Sequence, residues 1–136
     1  GKQEKSVGAV IFSNGKVLVE HMSLGHYSIP KGHVEKEDKD ELDTARREIK
    51  EELNLDVELI PSFKTSIWYS PFEGINKEVV FYLAKAKNEE ISVDKKEVSD
   101  AYWIKPEDCM RVLSFDSDRE VVKKAYIFAK SNSIDL

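Results

Sequence analysis

The sequence predicts an α+β fold in which a central mixed β-sheet is packed between helices. Strand and helix patterns are mixed along the chain, but only one helical crossover lies between strong strands. An Asn-Gly hairpin signal indicates antiparallel pairing, which also disfavours a doubly wound parallel sheet. Because 136 residues with 40% hydrophobic content can bury one core, we expect a single domain over residues 1–136.

Two strand signals joined by a tight turn open the chain. Residues 6–12 form a nearly continuous apolar run, which is typical of a buried strand. Asn14-Gly15 then predicts a two-residue hairpin, and residues 16–21 form the returning strand. Residues 22–27 have the composition of a loop, and Pro30 helps to fix the direction of the chain that follows.

A long helix is predicted next. Asp38 is a candidate N-cap with Glu41 three residues later, which is a capping-box arrangement. The helix should therefore cover about residues 40–53. At about 100° per residue its apolar side chains form one narrow stripe, made of Leu42, Ala45, Ile49 and Leu53.

The second half of the chain returns to strands and ends in two helices. The strand and turn patterns fall at residues 55–70 (one or two strands), 71–76 (a turn or loop), 77–86 (a strong core strand), and 91–93 and 101–104 (short strands). Pro106 opens a short helix that ends at about residue 113. Ser117 and Glu120 form a second capping box, which starts a terminal helix that ends at about residue 130.

Composition excludes several classes of function. The formal net charge of −5 argues against a DNA-binding protein, although a few local lysines suffice for a nucleotide. No apolar run approaches the roughly 20 residues of a membrane span. The N-terminus does not resemble a signal peptide, and the single Cys109 cannot form an internal disulfide, so we expect a cytoplasmic protein. We also expect a monomer or a weak dimer.

The predicted long helix carries an unusual acidic ridge. Glu41, Glu48 and Glu52 fall within about 40° of one another on the helical wheel, with Glu51 roughly 60° further round. Like charges four residues apart destabilise a helix by a few tenths of a kcal/mol, and a divalent cation would compensate for them. The alternative interpretation is an ordinary solvated, highly charged helix face.

These residues resemble the Nudix box, a motif that runs Gly, five residues, Glu, seven residues, Arg-Glu, aliphatic, any residue, Glu-Glu, any residue, Gly, aliphatic. Arg47 to Leu55 match its second half, with Asn54 in place of Gly. Asn tolerates the left-handed conformation that ends a helix. From Gly32 to Arg47 there is one residue more than in the motif. The first acid of the box is therefore open between Glu37, Asp38 and Glu41.

The resemblance implies the Nudix fold, an α/β/α sandwich around a mixed sheet, and a Mg²⁺-dependent hydrolase, with Mn²⁺ as an alternative ion. It implies that Glu48, Glu51 and Glu52 are metal-binding carboxylates, that Glu48 and Glu51 are also catalytic, and that Glu48 is a candidate to activate the attacking water. The backbone carbonyl of Gly32 would reach the metal, and Arg47 would orient the glutamates. No cluster of Cys and His has the spacing of a zinc site.

Outside the box, the sequence resembles the asymmetric diadenosine tetraphosphate hydrolases. The similarity lies in the stretch from Pro30 to Glu35, in Ser62-Phe63-Lys64, in strand 77–84, and in the spacing of Glu97 and Trp103. It implies that Lys31, His33 and Lys77 contact phosphate oxygens and that Glu97 is a further ligand or base. The alternatives are lysines that serve only solubility and a hydrogen-bonded loop histidine.

Adenine rings need flat partners, because a base is held by stacking on aromatic side chains. Tyr69 and Phe72 lie beside a predicted turn and are expected to be exposed, while Tyr82 is the candidate on the strong strand. Most of the other aromatic residues should belong to the core.

The predicted function is Mg²⁺-dependent hydrolysis of a phosphoanhydride bond in a nucleoside polyphosphate, and the expected substrate is diadenosine tetraphosphate, which would be cleaved to ATP and AMP. The alternatives are a MutT-type nucleoside triphosphate pyrophosphohydrolase, a nucleotide-sugar hydrolase and an enzyme trimming RNA 5′ ends. A non-catalytic nucleotide-sensing module and a partner-binding scaffold are the hypotheses from other classes.

Overall fold

A single mixed sheet and three helices make up the computed structural model, which describes all residues from 1 to 136. The strands are β1 (Lys2–Ser13), β2 (Lys16–Met22), β3 (Tyr27–Ser28), β4 (Lys31–His33), β5 (Val57–Tyr69), β6 (Ile75–Ala86) and β7 (Val98–Ile104). The helices are α1 (Glu41–Leu53), α2 (Pro106–Val112) and α3 (Asp116–Ser131). The predicted α+β class is confirmed.

The sheet is built around one parallel pair. β1 and β6 run parallel from Lys2 opposite Ile75 to Phe12 opposite Lys85. Every other pairing is antiparallel, and the strand order is β3-β2-β1-β6-β5, with β4 added to β1 and β7 to β2. The strong apolar strands are thus central and the polar ones peripheral, because the central strands are covered on both faces.

Side-chain alternation divides the core into two layers. Val10 and Phe12 of β1 pack in the larger cluster, which includes residues of α2 and α3. Ala9 and Ile11 face the other way and pack with Ile49 of α1. Helices therefore cover both faces of the sheet, and α1 lies on the face opposite α2 and α3.

The N-caps of two helices differ from the prediction. Asp40, rather than Asp38, caps α1, and its Oδ1 accepts a hydrogen bond from the backbone N–H of Asp43 at 2.8 Å. α3 begins at Asp116 with Phe115 as its N-cap and no side-chain cap, so the capping box that begins at Ser117 is wrong. Two acidic residues in the first turn of α3 complement the helix dipole there instead.

The predicted strand over residues 91–93 is also wrong. Its backbone bonds to the end of α1: the N–H of Ser92 donates to the Leu53 carbonyl at 3.1 Å, and that of Asp94 donates to the Glu52 carbonyl at 2.9 Å. Carbonyls at the end of a helix have no partner within the helix, so this segment satisfies them and does not join the sheet.

β1 is longer than predicted, and the region predicted as one or two strands over residues 55–70 contains one strand. β1 begins at Lys2, because its polar first residues pair with β6. Residues 57–69 form one strand, and its register against β6 shifts between Ile60 and Lys64. Pro61 lies inside this irregularity, where the loss of a backbone donor is tolerated.

Candidate active site

The second half of the acidic motif lies on α1 as predicted. Asn54 follows the last helical residue with φ of 53°, and its backbone N–H donates to the Lys50 carbonyl at 3.0 Å. The replacement of the motif's glycine by asparagine therefore keeps the left-handed end of the helix.

Arg47 connects α1 to the loop that precedes it. Its Nε and Nη2 donate to the two oxygens of Asp38, both at 2.9 Å, and Nη2 also donates to the His33 carbonyl at 3.0 Å. Its Nη1 donates to Glu48 Oε1 at 3.0 Å and lies 3.3 Å from Glu51 Oε2. This fork fixes the loop, the helix and Glu48 relative to one another.

Three residues are candidates for the first acid of the box, Glu37, Asp38 and Glu41, and of these Asp38 is the one that contacts Arg47. Its side chain is 5% exposed, and it also accepts hydrogen bonds from the Thr44 hydroxyl and the Glu35 backbone N–H. The hydrogen bonds from Arg47 and Glu35 hold the pKa of Asp38 well below its usual range. The same pairing raises the pKa of Arg47. Glu37 is exposed and is not part of this network.

Glu41 ties the start of α1 to the sheet. It accepts a hydrogen bond from the Tyr82 hydroxyl at 2.5 Å and pairs with Lys64 at 2.9 Å and with Lys5. Burial alone would raise the pKa of Glu41, but its hydrogen bonds with Lys5, Tyr82 and Lys64 lower it to about 2. Tyr82 is 6% exposed and is committed to this contact.

Glu48 and Glu52 face a third acid that sequence reasoning missed, Glu20 of β2. Glu20 is 1% exposed, and its Oε2 has no hydrogen-bond partner. The side chain of Glu52 lies near those of Glu20 and Glu48. Burial is the main cause that raises the pKa of Glu52, and the neighbouring carboxylates raise it further. Burial also raises the pKa of Glu20. The sequence signal for Glu20 was an acidic residue directly after an apolar run in a predicted strand.

Gly32 is packed against Glu48. A Cβ at this position would lie 1.8 Å from Glu48 Cδ and 2.1 Å from its Oε2, so a side chain there would displace the carboxylate. Glu51 differs from the other acids: its side chain is 56% exposed and contacts Arg47.

A cavity of about 330 Å³, here called the polar cleft, brings most of the other predicted residues together. Its lining consists of Ser6, Glu20, Met22, Ser28, Ile29, Lys31, Gly32, His33, Glu35, Glu48, Lys77 and Glu97. Burial and the charge of Lys31 lower the pKa of Lys77. The predicted residues Lys31, His33, Lys77 and Glu97 therefore share one cleft with Gly32 and Glu48. The cleft combines carboxylates with cations.

A second cavity, of about 420 Å³ and here called the aromatic cavity, adjoins the polar cleft. It is lined by His26, Lys31, Ile67, Trp68, Tyr69, Phe115, Ser117 and Asp118. The rings of His26 and Phe115 lie 5.5 Å apart, and the Phe115 and Tyr69 side chains are about half exposed. Asp118 is 5% exposed, and burial raises its pKa. Lys31 belongs to both cavities.

The three predicted aromatic residues have different surroundings. Tyr69 lines the aromatic cavity, Phe72 lies outside both cavities and is 71% exposed, and Tyr82 is buried against Glu41. Sequence reasoning missed Phe115 as a cavity residue, because it precedes a helix and matches no local motif.

Comparison with known proteins identifies the class. The NUDIX domain model matches residues 2–125, so the chain belongs to the Nudix family. It is thereby a hydrolase of the class that acts on nucleoside polyphosphates. No curated protein sequence matches the chain, and no helix of the structure is both long and apolar enough to cross a membrane.

Solved structures show the same fold. A binary complex of C. elegans Ap4A hydrolase is similar with a TM-score of 0.83 and 27% identity, over 94% of this chain and 98% of that one. Another structure of C. elegans Ap4A hydrolase gives 0.76 and 26%, over 92% and 97%. A MutT NUDIX hydrolase from Burkholderia pseudomallei gives 0.75 and 21%, over 90% and 98%, and this likeness concerns the fold alone.

Nudix hydrolases generally use a divalent metal such as Mg²⁺, and the donors around Glu48 fit such an ion in chemistry. Carboxylate oxygens are the hard ligands that Mg²⁺ prefers. A bound cation would stabilise the unpartnered Oε2 of Glu20 and would offset the repulsion between the neighbouring carboxylates. No group of three His, Cys, Asp or Glu side chains is arranged in advance to hold a metal. Binding therefore requires these carboxylates to turn toward a common point.

Proposed function

We propose that the protein hydrolyses a phosphoanhydride bond of a dinucleoside polyphosphate in a Mg²⁺-dependent reaction, with diadenosine tetraphosphate cleaved to ATP and AMP. The observation that carries this proposal is the junction of the polar cleft and the aromatic cavity at Lys31. A nucleotide has the matching shape, with a flat base next to a chain of charged phosphates. The likeness to C. elegans Ap4A hydrolase supports the same substrate class.

Glu48, Glu52 and the Gly32 carbonyl would hold the metal, and Glu51 would join them by turning from its contact with Arg47. When bound, Mg²⁺ or Mn²⁺ would neutralise phosphate charge and polarise the reacting phosphoryl group. Arg47 acts as a positioning residue, because its bond to Glu48 Oε1 leaves the other oxygen turned toward Gly32.

Phosphate oxygens are bound by Lys31, His33 and Lys77, which line the polar cleft together with the acids. Burial lowers the pKa of Lys77, and the positive charge of the nearby Lys31 lowers it further. A phosphate chain placed between the two lysines relieves this repulsion. The cleft therefore binds an anion more favourably than either lysine would alone.

Hydrolysis needs a base for the attacking water. The water oxygen forms a bond to phosphorus, the bridging P–O bond breaks, and the leaving phosphate takes the bonding electrons. Glu48 and Glu97 both line the polar cleft and are the two candidates to accept the water proton. Glu97 is exposed at the rim, whereas Glu48 lies deeper and is held by Arg47.

The base stacks in the aromatic cavity between Tyr69 and Phe115. Stacking on an aromatic side chain contributes about 1–3 kcal/mol per base. Phe72, exposed beyond the end of β5, is the proposed contact for the second nucleoside. Tyr82 contributes indirectly, since its hydroxyl holds Glu41 at the start of α1.

Product analysis tests the proposal. The purified protein is incubated with diadenosine tetraphosphate and Mg²⁺, and the nucleotides are separated by ion-exchange chromatography. We expect equal amounts of ATP and AMP, loss of activity with EDTA, and a drop of at least about 10²-fold in kcat for Glu52→Gln. Glu58→Gln, which changes an exposed glutamate of β5, is the matched control.

Other outcomes would identify the alternatives. Faster release of pyrophosphate from a nucleoside triphosphate would replace the dinucleotide with a MutT-type substrate. Rapid cleavage of a nucleotide sugar or of a triphosphorylated RNA end would point to those substrates. Binding of nucleotide without turnover of any of them would support a sensing module and refute the enzymatic proposal.

A further inference from the structure

We propose that Glu20 is a further ligand of the divalent cation, so that the metal is held by a carboxylate of the sheet as well as by those of α1. This inference deepens the proposed function and rests on its metal site. It adds a residue that lies outside the acidic motif, in the second strand of the chain.

The first argument is burial without a partner. Glu20 is 1% exposed, yet its Oε2 forms no hydrogen bond. A buried carboxylate is unfavourable unless it is paired or coordinates a metal. Two other buried side-chain groups lack a partner, Ser6 Oγ and Arg119 Nε, so Glu20 is the one acid with a buried, unpartnered oxygen.

The second argument is direction. In β2, Val17 and Val19 pack in the core layer of α2 and α3, whereas Leu18 packs in the layer of α1. Glu20 is two residues from Leu18 and therefore points to the α1 face. There it lines the polar cleft with Glu48 and lies near the side chain of Glu52.

The third argument is rigidity. The backbone of Glu20 is paired on both sides, with Ser28 of β3 and with Ala101 of β7. A ligand anchored between two strands has a fixed position, and fixed donors favour metal binding because little motion is lost on coordination. Glu48 and Glu52 approach from the helix, so an ion between these elements would be held from two sides.

Direct metal binding tests the inference without depending on turnover. Mn²⁺ is titrated into the wild-type protein and into Glu20→Gln, and free Mn²⁺ is measured by its EPR signal. We expect the dissociation constant to rise about tenfold or more in Glu20→Gln, which is the range typical of lost coordination support. Glu58→Gln, which changes an exposed acid of β5 that does not line the polar cleft, should bind Mn²⁺ like the wild type.

Circular dichroism establishes that each variant is folded, and Glu20→Met, which keeps side-chain volume without the charge, serves as a second variant. Binding by Glu20→Gln or Glu20→Met within twofold of the wild type would overturn the role of Glu20 and leave the proposed function intact. Absence of Mn²⁺ binding by the wild type and by Glu58→Gln would instead overturn the metal site itself, and both proposals with it.

Discussion

Gly32→Ala is the most informative single substitution in the site. The added Cβ would lie 1.8 Å from Glu48 Cδ, far inside van der Waals contact. The glycines with positive φ are Gly15, Gly25 and Gly74, and Gly32 is not among them. Alanine is therefore compatible with the backbone conformation of Gly32. The whole effect should therefore come from displacement of the Glu48 side chain.

The size of this effect follows from the overlap. To restore ordinary contact, the Glu48 carboxylate must move by more than about 1 Å, and a misplacement of about that size costs roughly 10²-fold in rate. Overpacking of this kind also destabilises a protein by about 1–3 kcal/mol. We expect kcat for the dinucleotide to fall by about 10²-fold and urea unfolding to show the loss of stability.

A double-mutant cycle separates this mechanism from a general disturbance of the loop. Glu48→Ala removes the atoms with which the new methyl group collides, so Gly32→Ala in that background should change the free energy of unfolding by less than about 0.5 kcal/mol. Equal destabilisation by Gly32→Ala in both backgrounds would refute the reasoning, because the collision would then involve something other than Glu48.

Three further substitutions test other parts of the structure. The pKa of Glu41 is about 2 in the folded protein and 4.5 in the unfolded chain, so its contribution to stability is full above pH 4.5 and is lost as pH falls toward 2. Glu41→Gln should therefore reduce the loss in the free energy of unfolding between pH 4.5 and pH 2 by about 1–2 kcal/mol, after allowance for screening by solvent. Urea unfolding at each pH measures this change, and a pH dependence equal to that of the wild type would contradict it. Phe115→Ala should raise KM for the dinucleotide about 5- to 150-fold, the equivalent of the stacking energy, whereas Leu24→Ala, at a side chain 92% exposed, should leave KM unchanged. Asn54→Ala should lower the free energy of unfolding by about 1 kcal/mol and Asn54→Gly should not, because only the former strains the left-handed end of α1; equal effects in thermal melts would exclude that explanation.

The sequence was most informative about α1. Its apolar period and acidic ridge predicted a helix over about residues 40–53, and the structure has it over Glu41–Leu53. The N-cap was wrong by two residues, because Asp38 and Asp40 are both good caps and the choice depends on a distant contact. Arg47 donates hydrogen bonds to both side-chain oxygens of Asp38, so Asp40 caps the helix instead.

Sequence patterns could not predict features that are formed by several segments far apart in the sequence. Glu20 lies in a mostly apolar strand, and its position near Glu48 and Glu52 depends on how β2 and α1 are placed in the fold. The aromatic cavity combines His26, Tyr69, Phe115 and Asp118, which lie far apart in the sequence. Their proximity follows from the strand order and from the packing of α3 on the sheet, neither of which local periodicity encodes.

The contact between the end of α1 and the segment that leads to Glu97 offers a view of motion at the site. The amide protons of Ser92 and Asp94 are bonded to the carbonyls of Leu53 and Glu52, and the Glu97 carbonyl accepts from the Ser23 amide at 2.8 Å. Opening of this segment would free both of its amides at once. Their hydrogen-exchange rates therefore measure how often the rim that carries Glu97 detaches from the helix that carries Glu52. Because the two amides flank the acidic end of α1, a ligand that holds this rim in place should slow both exchange rates together.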